Sequence, residues 1–300
     1  MTGNAELEGK VAVVTGGASG IGIGLGLAIR AAREGMRVAL ADVEEEPLQA
    51  ALEQVRTHGA KAIAVRTDVS DPVAVQAFAE EVEAELGAPW LVCNNAGVNK
   101  FKKLWEFTQA DWQWILGVNL WGVINGISSF VPGLVARNAG YVVNTSSAAG
   151  LYATAGAGAY VASKHAVVGL SECLYRELRR IGSAVGVSVL CPKLVATNLM
   201  TATRNEPGVQ DKPAPIDMTK VQLPVTGEKV DVKTPDMIGD EVFLAIADRR
   251  FWILPHADSM RDTVINRFTQ AIHGENPDGS SEDQLSALLS SRRAGLVAPP

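Results

Sequence analysis

The chain has few of the residues that staple or metallate a fold. Its three cysteines, Cys93, Cys173 and Cys191, are odd in number and far apart. That excludes a disulfide framework and a zinc-ligand spacing, and reads as a reduced, cytoplasmic chain. The four histidines, at positions 58, 165, 256 and 273, show no ligand spacing either, so no metal site is expected. Basic residues are in deficit: 27 Lys and Arg against 33 Asp and Glu give a net charge of -6. That is the wrong sign for a nucleic-acid partner, whose phosphates want a cationic surface. No uninterrupted apolar run reaches the roughly 18 residues of a membrane span, so no membrane partner is expected. The longest candidate, residues 121–136, is broken by Asn125, Ser128, Ser129 and Pro132. The opening segment, MTGNAELEGK, lacks the basic flank and apolar stretch of a signal peptide.

What the chain does have is rhythm. Apolar, β-rich runs at 11–14, 38–41, 62–65, 90–93, 141–144, 187–190 and 251–254 alternate with helical patterns such as 45–58 and 72–86. Glycine follows both of these helices, and Asp71-Pro72 offers an N-cap with proline at the first helical position. Near-continuous apolar strands alternating with helices define an α/β fold: a parallel sheet with helices on both faces and ligands at the strand C-termini. Residues 200–236 carry Pro207, Pro213, Pro215, Pro224 and Pro235 and no clean period. They read as a lid over that edge. Residues 1–273 thus form one domain, and 274–300 a C-terminal extension whose Gly/Ser content fits a mobile tail, with EDQLSALLSSRR as a short helix.

The first strand runs straight into a glycine turn, VAVVTGGASGIG, with Gly16, Gly20 and Gly22. Such a turn lets backbone approach a pyrophosphate, and the following helix aims its N–H groups at it. The spacing is not the usual G-x-G-x-x-G, and on the turn alone a plain strand-to-helix connection stays open. Asp42 ends the second strand twenty residues past Gly22. An acid there accepts hydrogen bonds from an adenosine ribose and repels a 2′-phosphate, which favours NAD over NADP. The alternative for Asp42 is a solvated strand-end acid.

Tyr160 and Lys164, in YVASK, stand four apart and would share a helix face. A lone Tyr-x-x-x-Lys arises by chance too often to decide between chemistry and surface. Its company is more specific. TGGASGIG (15–22), DVS (68–70), NNAG (94–97), NTSS (144–147) and YVASK (160–164), with Asn119 in GVNLWG, resemble the short-chain dehydrogenases/reductases over about residues 8–198. The resemblance implies a Rossmann-type, doubly wound sheet of seven parallel strands in a single domain. It also implies a homodimer or homotetramer paired through the helices that hold Asn119 and Tyr160.

The resemblance further implies a site. Ser19 and Ile21 join the three glycines around the pyrophosphate. Asp68 and Val69 hold adenine, Asn95 and Gly97 line the adenosine ribose side, and Tyr160 and Lys164 bind the nicotinamide ribose. Pro192, Val195 and Thr197 lie at the carboxamide. The family usually has Pro-Gly where this chain has Pro192-Lys193, and a normal β conformation is expected for Lys193. Tyr160 would be the general base or acid and Ser147 would hold the substrate oxygen. Lys164 would lower the Tyr160 pKa from its ordinary value of about 10. Asn119 would hold a proton-relaying water. Ser146 is the alternative to Ser147, whose thirteen-residue spacing to Tyr160 favours it.

The pocket is expected from Val98, Phe101, Leu151, Tyr152, Leu199 and Met200, residues that could equally be core. Tyr175 is expected in the core, and Trp105, Trp112, Trp114 and Trp121 on or near one helix. No Arg or Lys cluster lies in the pocket segments to clamp a phosphate or CoA. A bulky, apolar secondary alcohol or ketone is therefore the expected substrate. LGVNLWGVINGISSFVP and FWILPHADSM resemble a C-terminally extended subgroup that includes bacterial dehydrogenases of lignin-derived aryl ethers. Two competing functions remain: an NADPH-dependent 3-oxoacyl reductase, and a non-catalytic NAD(H)-sensing protein.

Overall fold

The computed structural model describes residues 6–18, 21–210 and 231–277. Seven strands form one sheet: β1 (Val11–Thr15), β2 (Arg37–Asp42), β3 (Ala62–Arg66), β4 (Pro89–Asn94), β5 (Tyr141–Thr145), β6 (Gly186–Leu190) and β7 (Trp252–Ile253). Their order is β3-β2-β1-β4-β5-β6-β7 and every pairing is parallel. Every residue of β1, β5 and β6 is buried, because crossover helices cover both faces. Those helices are α1 (Ile23–Arg33), α2 (Glu45–Arg56), α3 (Pro72–Glu85), α4 (Gln109–Leu116), α5 (Gly122–Arg137), α6 (Gly158–Arg180), α7 (Pro235–Ala247) and α8 (Ala257–His273).

The period-two alternation of β1 feeds two cores. Ala12 and Val14 pack with Leu27 of α1, Leu48 of α2 and Ile238 of α7. Val11 and Val13 pack on the other face with Phe78 of α3, Phe130 of α5 and Leu174 of α6. Asp71 caps α3 by accepting the Val73 N–H at 2.8 Å, with Pro72 in the first turn. The order reverses between β1 and β4, so the sheet parts at their C-terminal ends and leaves the crevice where ligands of such folds bind.

Several expectations shift. Helices α2 and α3 stop at Arg56 and Glu85, and the turns close on Gly59 and Gly87, both at positive φ. Strand β7 is two residues, without Phe251 and Leu254. Phe251 instead stacks on half-buried Tyr175 with ring centroids 5.1 Å apart. The helical stretch Gln109–Arg137 is long and apolar enough, by length and composition, to cross a membrane. Its mean hydropathy tolerates the polar residues that break an uninterrupted run. In this fold it comprises α4 and α5 joined by a π turn, Gly117–Trp121, with Ile115, Phe130 and Leu134 buried. Of the tryptophans, Trp112 and Trp114 lie on α4 and Trp121 ends the π turn, exposed. Trp105 sits on a separate exposed 3-10 turn. Lys193 has no positive φ, so it fits where glycine was expected without backbone strain. Ser19, Gly20, residues 211–230 of the expected lid over 200–236 and residues 278–300 of the expected extension over 274–300, including EDQLSALLSSRR, lie outside the described residues.

Candidate active site

A cavity of about 560 Å³ follows the C-terminal edge of the sheet. Its first wall is the turn after β1. Gly16 has φ +70°, and a Cβ there would sit 2.7 Å from the Ala96 Cα. The turn thus lies directly against the loop after β4. Asn95 fastens it: its side-chain amide donates to the Thr15 carbonyl at 3.0 Å and its Oδ1 accepts from Thr145 Oγ1 at 3.2 Å. Asn95 thereby ties the ends of β1, β4 and β5 together. Helix α1 begins at Gly22 with no side-chain cap and no acid in its first turn. Gly22 and Ile23 line the cavity, whereas Ile21 does not. An uncapped helix start on a cavity wall suits an anionic group, so these residues fit a dinucleotide pyrophosphate.

Asp42 closes the same end. Burial raises its pKa, against the pull of the Ala18 and Glu44 N–H groups on its carboxylate, at 2.9 and 3.1 Å. Asp68 and Val69 line the cavity nearby, and Asp68 accepts from Ser70 N–H and Oγ.

The other end gathers Ser147, Tyr160 and Lys164. Helix α6 stacks Tyr160 and Lys164 one turn apart, with the ammonium 5.6 Å from the ring centroid. Lys164 Nζ donates to the Thr145 carbonyl at 2.9 Å. The two serines separate by their partners. Ser146 donates to the Lys164 carbonyl at 2.8 Å, whereas Ser147 Oγ donates to the Pro192 carbonyl at 3.4 Å, accepts from the Ala149 N–H at 3.1 Å and lowers the Tyr160 pKa. Burial pushes the Tyr160 phenol up to about 12, with Ser147 pulling the other way. Burial brings Lys164 down to about 8. The expected lowering of Tyr160 by Lys164 is therefore not met: desolvation drives both groups toward their neutral forms.

Asn119 is not on the cavity wall. The π turn delivers it to a fully buried position where Oδ1 accepts from the Val98 N–H at 2.8 Å. Its amide donates to the Val98 carbonyl at 3.0 Å and to Ser163 Oγ at 3.1 Å. Its side chain thus fixes the Val98 loop. The pocket residues divide. Val98, Phe101, Leu199 and Met200 line the cavity, and Phe101 packs with Tyr160. Leu151 and Tyr152 do not: they pack with Met260 and Val264, because α8 folds onto them. Gly97, Pro192, Val195 and Thr197 line the cavity as well. The Pro192–Thr197 segment is held from outside. Lys193 N–H donates to His256 Nδ1 at 3.2 Å, and Ala196 N–H to the Lys233 carbonyl at 2.9 Å.

A further group carries no local signature in the chain. The 3-10 segment Asn198–Asn205 covers the cavity, and its C-terminal end is tied by charge. Arg204 forks onto Glu44, with Nε–Oε1 3.0 Å and Nη2–Oε2 2.8 Å. Glu206 pairs with Lys100, which also reaches Asp111 at 2.6 Å. Burial would raise the Asp111 carboxyl, but bonds from Lys100, Lys102 and Thr108 hold it well below the usual carboxylate range.

Fold and cavity together define a dinucleotide-binding α/β oxidoreductase with a Ser–Tyr–Lys group at one end of its cleft. Residues 10–208 match the short chain dehydrogenase family, and the chain belongs to that family. It is 32% identical over 291 residues to a C alpha-dehydrogenase of Sphingobium sp. (strain NBRC 103272 / SYK-6), covering 95% of this chain and 93% of that one. That match takes in the C-terminal extension. Solved relatives carry either nucleotide. A short chain dehydrogenase/reductase from Burkholderia phymatum in complex with NAD is 39% identical, with a TM-score of 0.82 over 92% of this chain and 98% of that one. A metagenomic short-chain oxidoreductase in complex with NADP is 30% identical, with a TM-score of 0.64 over 83% and 96%. The chain is accordingly an oxidoreductase acting on CH–OH groups.

Proposed function

We propose that the protein interconverts a bulky, largely apolar secondary alcohol and its ketone with NAD, as a homodimer or homotetramer. The observation that carries this reading is the placement of Ser147, Tyr160 and Lys164 at the end of the cleft opposite Asp42. When bound, the nicotinamide ring accepts or supplies the hydride. Ser147 holds the substrate oxygen beside Tyr160, which takes the carbinol proton in oxidation and returns it in reduction. Lys164, charged below about pH 8, favours the phenolate once a cationic ring joins it. Asn119 keeps the Val98 loop in place, and any part it takes in a proton relay falls to its backbone. The substrate end is walled by Val98, Phe101, Trp114, Leu199 and Met200. The cations on the cavity wall are already bonded: Lys164 to Thr145, Lys193 to the Ser259 carbonyl, Arg204 to Glu44. Among the described residues that leaves no phosphate clamp for a CoA-type thioester, which favours an uncharged substrate.

The test is NADH formation from NAD⁺, then NADPH formation from NADP⁺, across aliphatic, alicyclic and benzylic secondary alcohols. Turnover with NAD⁺ and a bulky class is expected. Nucleotide binding without turnover of any member would overturn the assignment. The site also sets a pH dependence. Oxidation needs Tyr160 unprotonated and reduction needs it protonated. With nucleotide saturating, kcat/KM for the alcohol rises between pH 7 and 9, while that for the ketone stays level or falls. An alcohol profile flat over that range would contradict Tyr160 as base.

A further inference from the structure

Glu44 follows Asp42 by two residues, and its backbone N–H donates to the Asp42 carboxylate. Its own carboxylate holds the Nε and Nη2 edge of Arg204. The remaining Nη1 of Arg204 is anchored on its own segment, to the carbonyls of Asn198 at 3.0 Å and Thr201 at 3.2 Å. Glu44, Arg204 and Asp42 all line the cavity, and the paired side chains are each 17% exposed. A guanidinium fork is complementary to a phosphate as well as to a carboxylate. Here both donors of its outward edge are committed to Glu44. Among the described residues, Asp42, Glu44 and Asp68 against Arg204 leave the cavity wall at this end with a net negative charge.

We infer that Glu44 is a second cofactor-discriminating residue: by holding Arg204 it withholds from a 2′-phosphate a guanidinium that lines the cavity beside Asp42. The inference rests on the reading that the Asp42 end receives the adenosine ribose. It differs from the direct action of Asp42, because it works through a cation on the lid segment. Without the Glu44 carboxylate, Arg204 stays anchored through Nη1 and presents a free fork. Conversely, without Arg204 the Glu44 charge loses this guanidinium, and a phosphorylated ribose is repelled further.

The test is direct binding of NADH and of NADPH, followed by tryptophan quenching, in wild type, Glu44→Ala, Arg204→Gln and the double variant. Relative to NADH, Glu44→Ala is expected to tighten NADPH by about tenfold, the worth of a charge-assisted contact. The double variant loses that gain. Arg204→Gln alone weakens NADPH relative to NADH, and it reads the same coupling if Glu44→Ala folds poorly. An unchanged NADPH/NADH ratio in both single variants would overturn the inference, as would a gain that survives loss of Arg204. Wild type binding neither nucleotide would instead overturn the cofactor reading, and this inference with it.

Discussion

Tyr160→Phe lowers turnover by about 10³-fold and leaves NADH affinity essentially unchanged. Phe fills the volume that Tyr160 occupies among Phe101, Ala149, Ala157 and Leu199, so neither a cavity nor a new clash is made. What disappears is the hydroxyl, the group whose pKa Ser147 lowers. Because Tyr160 is buried, water does not replace that hydroxyl. Stopped-flow turnover alongside a nucleotide titration separates the two effects. Turnover within about tenfold of wild type would remove Tyr160 from the proton-transfer step, and equal losses of binding and turnover would recast it as a nucleotide anchor.

Gly24→Ala reverses the usual sign of its substitution. In an ordinary helix, alanine for glycine stabilises by up to about 1 kcal/mol. At Gly24 the added Cβ would lie 2.2 Å from the Gly16 carbonyl oxygen and 2.9 Å from Asn95 Nδ2. The first neighbour is backbone in a positive-φ turn, and the second is pinned to Thr15 and Thr145. Neither can yield, so the start of α1 must back away from the turn. The expected cost is about 1–3 kcal/mol of stability, with more than about tenfold weaker NADH binding as the helix end leaves the cavity wall. A urea titration and an NADH titration read both. A variant as stable as wild type would mean that the contact between α1 and the glycine turn is looser than the geometry states.

Gly24 also marks where legibility in the sequence ended. The strands were readable because burial on both faces leaves an apolar run nothing else produces, and Asp71-Pro72 announced its helix through cap chemistry. The place of Ser147, Tyr160, Lys164 and Asp42 on the wall of one cavity was readable because each stands at a fixed offset from a strand or a helix turn. Gly24 was not, since its role is a close approach to chain eight residues away, and one glycine among three near a helix start carries no mark of that. Glu44 and Arg204 were out of reach for a related reason: 160 residues separate them, and no local period couples them. Leu151 and Tyr152 were misplaced because apolar residues shortly after Ser147 suit a pocket or a docking helix equally well. Only the fold of α8 decided it. Asn119 was placed in the right neighbourhood, but its occupied amide depended on a π turn that no residue pattern announced.

The reversal in strand order between β1 and β4 divides labour as well as space. In the proposed reading, the groups at the Asp42 end hang on β1, β2 and β3, Ser147 and the Pro192–Thr197 segment hang on β5 and β6, and Asn95 and Gly97, after β4, lie between them. The two halves can therefore drift under separate selection, one trading nucleotides and the other trading alcohols, with little epistasis between them. Arg204 is the exception: it belongs to the substrate cover but is bonded to the β2 turn. A lineage that redesigns its cover to admit a new alcohol risks losing its nucleotide preference at the same stroke.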